Sequence, residues 1–185
     1  MAERAIRDYA NSKGFHRQTL DRWLAWEPTD QDALAGIAVS LKVSENHLRD
    51  MMDWLEEISL RDHSKIHELL SRQAIFSIQT DPRLGRADKL KRIKEQLRRW
   101  RFPRLAAIEE SIRMKIQELK LPAEIDLSVP PGLEGGRLHV EFRAGSRVEL
   151  EKLTRRLSDA ATSATVAEIF ELLSGQTGGN ERSQH

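Results

Sequence analysis

The sequence predicts a mainly α-helical protein that ends in a small α/β module. Three observations carry this. Apolar residues recur at steps of three and four from the start to about residue 119, the period of helices with one buried face. A 28-residue pattern runs twice through the opening segment. After Pro122 the period falls to two, the spacing of half-buried strands. The chain has 185 residues, 32% of them charged, and a mean hydropathy of −0.57. This length suits one or two small domains with a soluble, helix-rich composition. There is no cysteine, which excludes disulfides, thiol catalysis and thiolate metal sites. No apolar run reaches membrane-spanning length and no signal peptide opens the chain, so a cytoplasmic protein is expected.

The repeat shows in "GFHRQTLDRWLAW", residues 14–26, and "KVSENHLRDMMDW", residues 42–54. At an offset of 28, Ala5 falls on Ala33, Ile6 on Leu34, Tyr9 on Ile37 and Ala10 on Ala38. Beyond a break, Phe15 falls on Val43, Leu20 on Leu48 and Leu24 on Met52. The shared skeleton is a small Ala, four residues to a turn position, then six to an aliphatic residue. It resembles the helix-turn-helix, so tandem units are predicted. The Ala lets the second helix cross close over the first, and Gly14 suits a turn that needs positive φ. Lys42 occupies that turn in the second copy and strains it by about 1 kcal/mol. Ser44 is a good N-cap for the helix after it, and Thr29 with Asp32 resembles a capping pair before the preceding one. Trp26 and Trp54 are expected to end equivalent helices and to plug the joints beyond them.

Residues 55–80 read as helical continuation, with Leu55, Ile58, Ile66, Leu69 and Leu70 as core candidates. "QTDPRLGRAD" breaks the pattern and marks a boundary or hinge. From Arg86 to Arg101 a helix carries a narrow seam of Leu90, Ile93, Leu97 and Trp100. Pro103 stops it and opens a further helix with Leu105, Ile108, Ile112, Ile116 and Leu119. The simplest arrangement of these two is a basic antiparallel helical hairpin. Ile125, Leu127 and Val129 then alternate with polar residues, as do Leu138, Val140 and Phe142, with "PPGLEGG" turning the chain between them. A two-stranded hairpin plus helices is predicted. Ser146 caps a helix with Val148, Leu150, Leu153 and Leu157, and a last helix starts near Thr165, with Glu168 completing a capping box. Gly175 ends it. The predicted organisation is a tandem helix-turn-helix domain over 1–80, a basic hinge and helix over 81–104, an α-β-β-α module over 105–175, and a disordered tail over 176–185.

Charge separates these segments. Residues 29–62 hold three basic and eight acidic residues, a net of −5. Residues 83–104 hold ten basic and two acidic residues, a net of +8. The second helix of a helix-turn-helix presents its first turns to DNA bases. In the first copy these turns carry His16, Arg17, Gln18, Asp21 and Arg22. Arg can pair with guanine and Gln with adenine. In the second copy they carry Glu45, Asn46, His47, Arg49 and Asp50, followed by Asp53, Glu56 and Glu57, a face that DNA repels. Arg17, Gln18 and Arg22 are therefore the candidate readers. Lys89, Arg92 and Arg99 of the basic helix are candidates for phosphate contact without sequence preference. The acidic copy is left to build core or to dock a protein partner.

The stretch "IEESIRMKIQELKLPAEIDLSVPPGLEGGRLHVEFRAGSRVELEKLTRRL", Ile108 to Leu157, resembles the C-terminal domain of ParB chromosome-partition proteins. The closest part is "GGRLHVEF" followed by "SRVELEKL". The resemblance implies helix, strand, Gly-rich turn, strand and helix, a dimer paired through strands and helices, and basic sheet residues that can touch DNA. The family's amino-terminal nucleotide-binding domain and its arginine motif have no counterpart here, and the turn "PPGLEGG" carries no lysine. An isolated two-stranded hairpin is marginal in water and gains from another sheet. Leu138, Val140 and Phe142 supply the apolar face for such a dimer.

His63 and His67, beside Asp62, have the spacing at which one helix can share a metal, but no third ligand stands at a convincing spacing. "GLEGG" lacks the Lys-Ser and helix start of a phosphate loop. No metal, no cofactor and no enzymatic activity are expected. The leading expectation is a helix-turn-helix DNA-binding protein: a partition-like, nucleoid or regulatory factor. The alternative is an adaptor that docks a partner protein through the acidic repeat and the C-terminal module.

Overall fold

In the computed structural model residues 2–175 are described, and the tail proposed for 176–185 lies outside them. The architecture is mainly α with one small antiparallel hairpin. The chain divides into two compact units between Phe102 and Pro103.

The first unit opens with α1 (Ala2–Lys13), α2 (Arg17–Leu24), α3 (Pro28–Leu41) and α4 (Glu45–Asp62). The 28-residue repeat is present in the backbone itself. Phe15 N donates to Ala10 O at 2.9 Å, and Val43 N donates to Ala38 O at 3.0 Å. Gly14 N donates to Asn11 O and Lys42 N to Val39 O, again 28 residues apart. This paired pattern is the Schellman end of a helix, which requires a left-handed residue one position beyond it. Gly14 has φ +69 and Lys42 has φ +54. Lys42 thus takes the conformation that glycine takes in the first copy. A third turn of the same kind ends α4, with His63 at φ +51 and Ser64 N donating to Ser59 O.

After that turn come α5 (Ile66–Leu70), α6 (Gln73–Thr80) and α7 (Arg86–Arg101). The apolar continuation over 55–80 is helical, but three segments share it. Its break at "QTDPRLG" is a short turn, not a domain boundary: α7 packs on α3, α4 and α6 within the first unit. The hairpin partner of the basic helix in that unit is α6, and the helix opened by Pro103 belongs to the second unit. Ile93 and Leu97 of the seam are fully buried, flanked by Leu90 and Trp100.

One core serves the whole unit. It joins Ile6 of α1, Trp23 of α2, Leu34, Ile37 and Ala38 of α3, and Leu48, Met51, Met52, Leu55 and Ile58 of α4 to residues of α5, α6 and α7. The buried tryptophan is Trp23, at 0% exposure, and its repeat partner Met51 is buried equally. Trp26 and Trp54 are only half-buried, and they do not end equivalent helices. Helix α2 stops at Leu24, before Trp26, whereas α4 runs past Trp54 to Asp62. Trp26 Nε1 donates to Glu56 at 2.8 Å, and Lys94 of α7 lies over the Trp54 ring at 5.4 Å. Helix α3 begins with Glu27 as N-cap and Pro28 as its first residue, earlier than the Thr29–Asp32 pairing implied.

The second unit holds α8 (Pro103–Glu118), β1 (Ile125–Ser128), β2 (His139–Phe142), α9 (Arg147–Ala161) and α10 (Ala164–Leu173). β1 and β2 pair antiparallel, with Ile125 opposite Phe142 and Leu127 opposite Val140. The turn between them uses positive φ at Gly132, Leu133, Gly135 and Gly136, and Glu109 of α8 accepts from Gly132 N. Ser146 caps α9 by accepting from Glu149 N. The cap of α10 is Ser163, which accepts from Val166 N; Thr165 lies inside the helix. Ile112, Ile169 and Leu173 form the small buried core, with Ile108, Ile116, Leu119 and Leu138 against it.

A Cβ at Gly14 would meet nothing within 4 Å, so only its positive φ opposes a side chain. Gly14→Ala should therefore cost about 1 kcal/mol, and Lys42→Gly should gain about 0.5 kcal/mol once glycine's extra chain entropy is offset. Urea unfolding midpoints of the two variants check both signs.

Candidate nucleic-acid interface

The site is organised around α4, whose 3.6-residue period divides its surface into three strips. Leu48, Met51, Met52, Leu55 and Ile58 face the core. Glu45, Arg49, Asp53 and Glu56 face α2. His47, Asp50, Trp54, Glu57 and Arg61 face α7.

The strip toward α2 ties the two repeats together. Glu45 accepts from His16 N at 3.0 Å, from Thr19 Oγ1 at 2.5 Å and contacts His16 Nδ1 at 2.8 Å. It thereby satisfies the amide of His16, the residue at which α2 begins, with a carboxylate from the next repeat. The Thr19 hydroxyl, followed by His16, lowers its pKa to about 2. Further along, Arg22 donates to Asp53 at 2.7 Å and to Glu56 at 2.6 Å. The Glu56 hydrogen bond leads the causes that raise the Arg22 pKa. Arg22, one of the sequence-derived readers, is thus engaged in joining the repeats.

The strip toward α7 is tied in the same way. Lys94 donates to Asp50 at 2.7 Å and contacts His47 Nδ1 at 3.0 Å. Arg101 forks onto Glu57, one arm at 2.7 Å, and Arg61 donates to Arg101 O at 2.9 Å. Lys89 donates to Gln79 O at 2.7 Å near the end of α6. The acidic second repeat and the basic helix therefore neutralise one another inside the unit. Arg92 and Arg99 stand exposed on the side of α7 away from the seam, a side they share with Asp88 and Glu95. The cationic surface there is weaker than a net of +8 suggested.

The start of α2 stays outward. Arg17 is 92% exposed with only a loose pairing to Asp21 at 3.5 Å, and Gln18 is exposed without a side-chain partner among the described residues. Arg49 is exposed beside them. These residues line a shallow cleft of about 370 Å³ with His16, Thr19 and Arg22, and no carboxylate among the described residues lines it. Arg17 and Gln18 were legible from their helix position. Arg49 was not singled out as a reader, because it lies in the acidic repeat, and only the packing of α4 on α2 brings it to the cleft.

The hairpin offers less to a polyanion than the ParB resemblance implied. Its outward face carries Glu124, Asp126 and Glu141, with Asp126 directly opposite Glu141, and Arg143 paired to Glu141 at 2.9 Å. Leu138 is half-buried against the core of its unit, whereas Val140 and Phe142 are 44% and 37% exposed. The histidine pair is also separated. His63 lies in the turn after α4, and His67 lies on α5 with Nδ1 2.7 Å from Asp30, itself only 6% exposed. Asp30 also accepts from His67 N at 2.8 Å, so it caps α5. No group of three metal-ligating side chains occurs among the described residues. No helix among them is long and apolar enough to cross a membrane.

The depressed pKa of Glu45 gives a pH dependence. Its folded value lies below the ordinary glutamate value of 4.5, so the ionised carboxylate stabilises the fold above that pH. The contribution fades as pH falls from about 4.5 toward 2. Asp62 and Asp81, lowered by hydrogen bonds from Arg61 and Arg83, act in the same direction. Glu45→Gln should lower stability at neutral pH and flatten the acid limb without abolishing it. Urea midpoints measured from pH 2 to pH 7 test this; an acid limb identical to that of the unsubstituted protein would exclude the role.

Compared with known proteins, the chain matches no family model, no curated protein and no solved structure.

Proposed function

We propose that the protein binds duplex DNA through its first helix-turn-helix unit, with α2 as the helix that enters the major groove. The observation that carries this reading is the start of α2. Arg17 and Gln18 project from the first turn of the second helix and are not consumed by the fold. The turn before them is fixed by hydrogen bonds, with a Schellman end on one side and Glu45 accepting from His16 N on the other. A helix held so firmly presents its side chains in a fixed geometry, as base readout requires. Helix α7 then serves the phosphates. It packs on a different strip of α4 from the one that holds α2. Arg92 is suited to the flanking backbone from there.

The second unit supports self-association within this reading. Val140 and Phe142 share the face of Leu127 and Ile125, yet the β1 residues are buried and the β2 residues are not. Val148 and Leu150 of α9 are also exposed. A second copy paired on β2 would cover Val140 and Phe142 and complete a two-stranded sheet that is marginal alone. A partition-like, nucleoid or regulatory factor that binds as a dimer fits these features best.

Gel shifts on unrelated duplexes across a salt series test the DNA reading. Arg17→Ala and Gln18→Ala should relax sequence preference with the fold intact, as each good bidentate base contact contributes about 1–3 kcal/mol of discrimination. Arg92→Glu should weaken all duplexes alike and flatten the salt slope. Binding that is indifferent to salt and to all three changes would exclude this interface. For self-association, Phe142→Glu should shift the sedimentation coefficient from dimer to monomer; a monomeric unsubstituted protein would rule out pairing through β2.

A further inference from the structure

We propose that Arg49, from the second repeat, contacts the phosphate backbone of the duplex whose bases Arg17 and Gln18 read, so that the reading head is built from both repeats. This rests on the reading of α2 as the DNA-facing helix.

Along α4, Glu45, Arg49 and Asp53 stand four residues apart and so lie on one strip of the helix, above one another. That strip faces α2, whose side chains at the contact are His16, Thr19 and Arg22. The two outer positions carry carboxylates, and both bond to α2. The middle position carries a guanidinium. It faces Arg17, Arg22 and His16 across the cleft, and its side chain makes no hydrogen bond or ion pair among the described residues. Arg22 and His16 are already bonded to carboxylates of α4, whereas Arg49 is not, and a carboxylate at its position would have continued the pattern on either side. The cleft is lined by three arginines, a histidine and two neutral polar residues. An anion seated there would meet Arg17, Gln18 and Arg49, and guanidinium forks match phosphate oxygens.

Charge and place identify the occupant. The cleft opens beside Arg17 and Gln18, so a duplex engaged by those residues brings a backbone phosphate past Arg49 without any movement of the fold. The adjacent carboxylates of α4 are turned to α2: Asp53 and Glu56 share Arg22, and Glu45 accepts from His16 N and Thr19. The second repeat thus acts on DNA through one residue, while the rest of its acidic face holds neighbouring helices.

Fluorescence anisotropy with two unrelated labelled duplexes across a salt series tests the proposal. Arg49→Ala should weaken binding to both about tenfold, as loss of one charge-assisted phosphate contact would, and should lower the salt slope by about 0.9. Arg49→Lys should recover most of the affinity. Thermal melts by circular dichroism should be unchanged in both variants, since the side chain is exposed. If Arg17→Ala changes binding while Arg49→Ala leaves affinity and slope intact, Arg49 is not part of the interface and the reading of α2 stands. A change of base preference at one position, with the slope intact, would also overturn the phosphate assignment. If the unsubstituted protein binds neither duplex at any salt, both readings fall together.

Discussion

Helix α4 is the element on which the first unit depends, and its charge pattern is the reason. An 18-residue helix with one apolar strip could pack on a core and leave two-thirds of its surface to water. Here both remaining strips carry carboxylates, and each meets basic or hydrogen-bond-donating side chains of a different neighbour. Glu45, Asp53 and Glu56 hold α2; Asp50 and Glu57 hold α7. The pairs are partly exposed and each contributes little alone. Their value lies in direction. Apolar contacts set how closely helices approach, and the pairs set which rotation about its axis each helix adopts.

This arrangement explains why net charge by segment misleads. The acidic stretch from 29 to 62 and the basic stretch from 83 to 104 look like two surfaces for two partners. Lys94 and Arg101 instead neutralise Asp50 and Glu57 across the α4–α7 contact, and Lys89 serves the end of α6. Arg22, which looks like a reader in the sequence, has two carboxylates within 2.7 Å. Arg17 and Arg49 stay outward because no carboxylate of a neighbouring helix bonds to them among the described residues, and Arg92 is exposed with Asp81 at the end of α6 within its field.

The two repeats share a backbone and differ in use. Their turns match in hydrogen bonding, residue for residue, although one has glycine at the left-handed position and the other lysine. The constraint is therefore the Schellman geometry and the small Ala beneath it, strong enough to hold Lys42 at positive φ. Beyond the turn the copies diverge. Helix α2 is a short helix of eight residues whose start is exposed, and α4 is more than twice that length, with carboxylates on both polar strips bonded to its neighbours.

By itself the sequence determined most of the helical segments, the turns at Gly14 and Lys42, the repeat and the strand pairing, because each depends on local period and local backbone chemistry; the division of 55–80 among α4, α5 and α6 was not legible in it. Steps of three and four named Leu48, Leu55, Ile58, Ile93 and Leu97 as core, and alternation named both strands. It also placed Arg17 and Gln18 at the exposed start of a second helix, since position after a turn is a local property. Tertiary structure alone decided the rest. The 28-residue register, read through Trp26 and Trp54, pointed past the fully buried Trp23, because burial depends on which face α3 and α4 cover. Helical period and apolar spacing alone do not reveal that Arg22 is tied between repeats, that Arg49 joins the cleft, or that α7 belongs with the first unit. Those facts arise where two helices meet, and the partners of a charged side chain are set by distance in space, not by its neighbours along the chain.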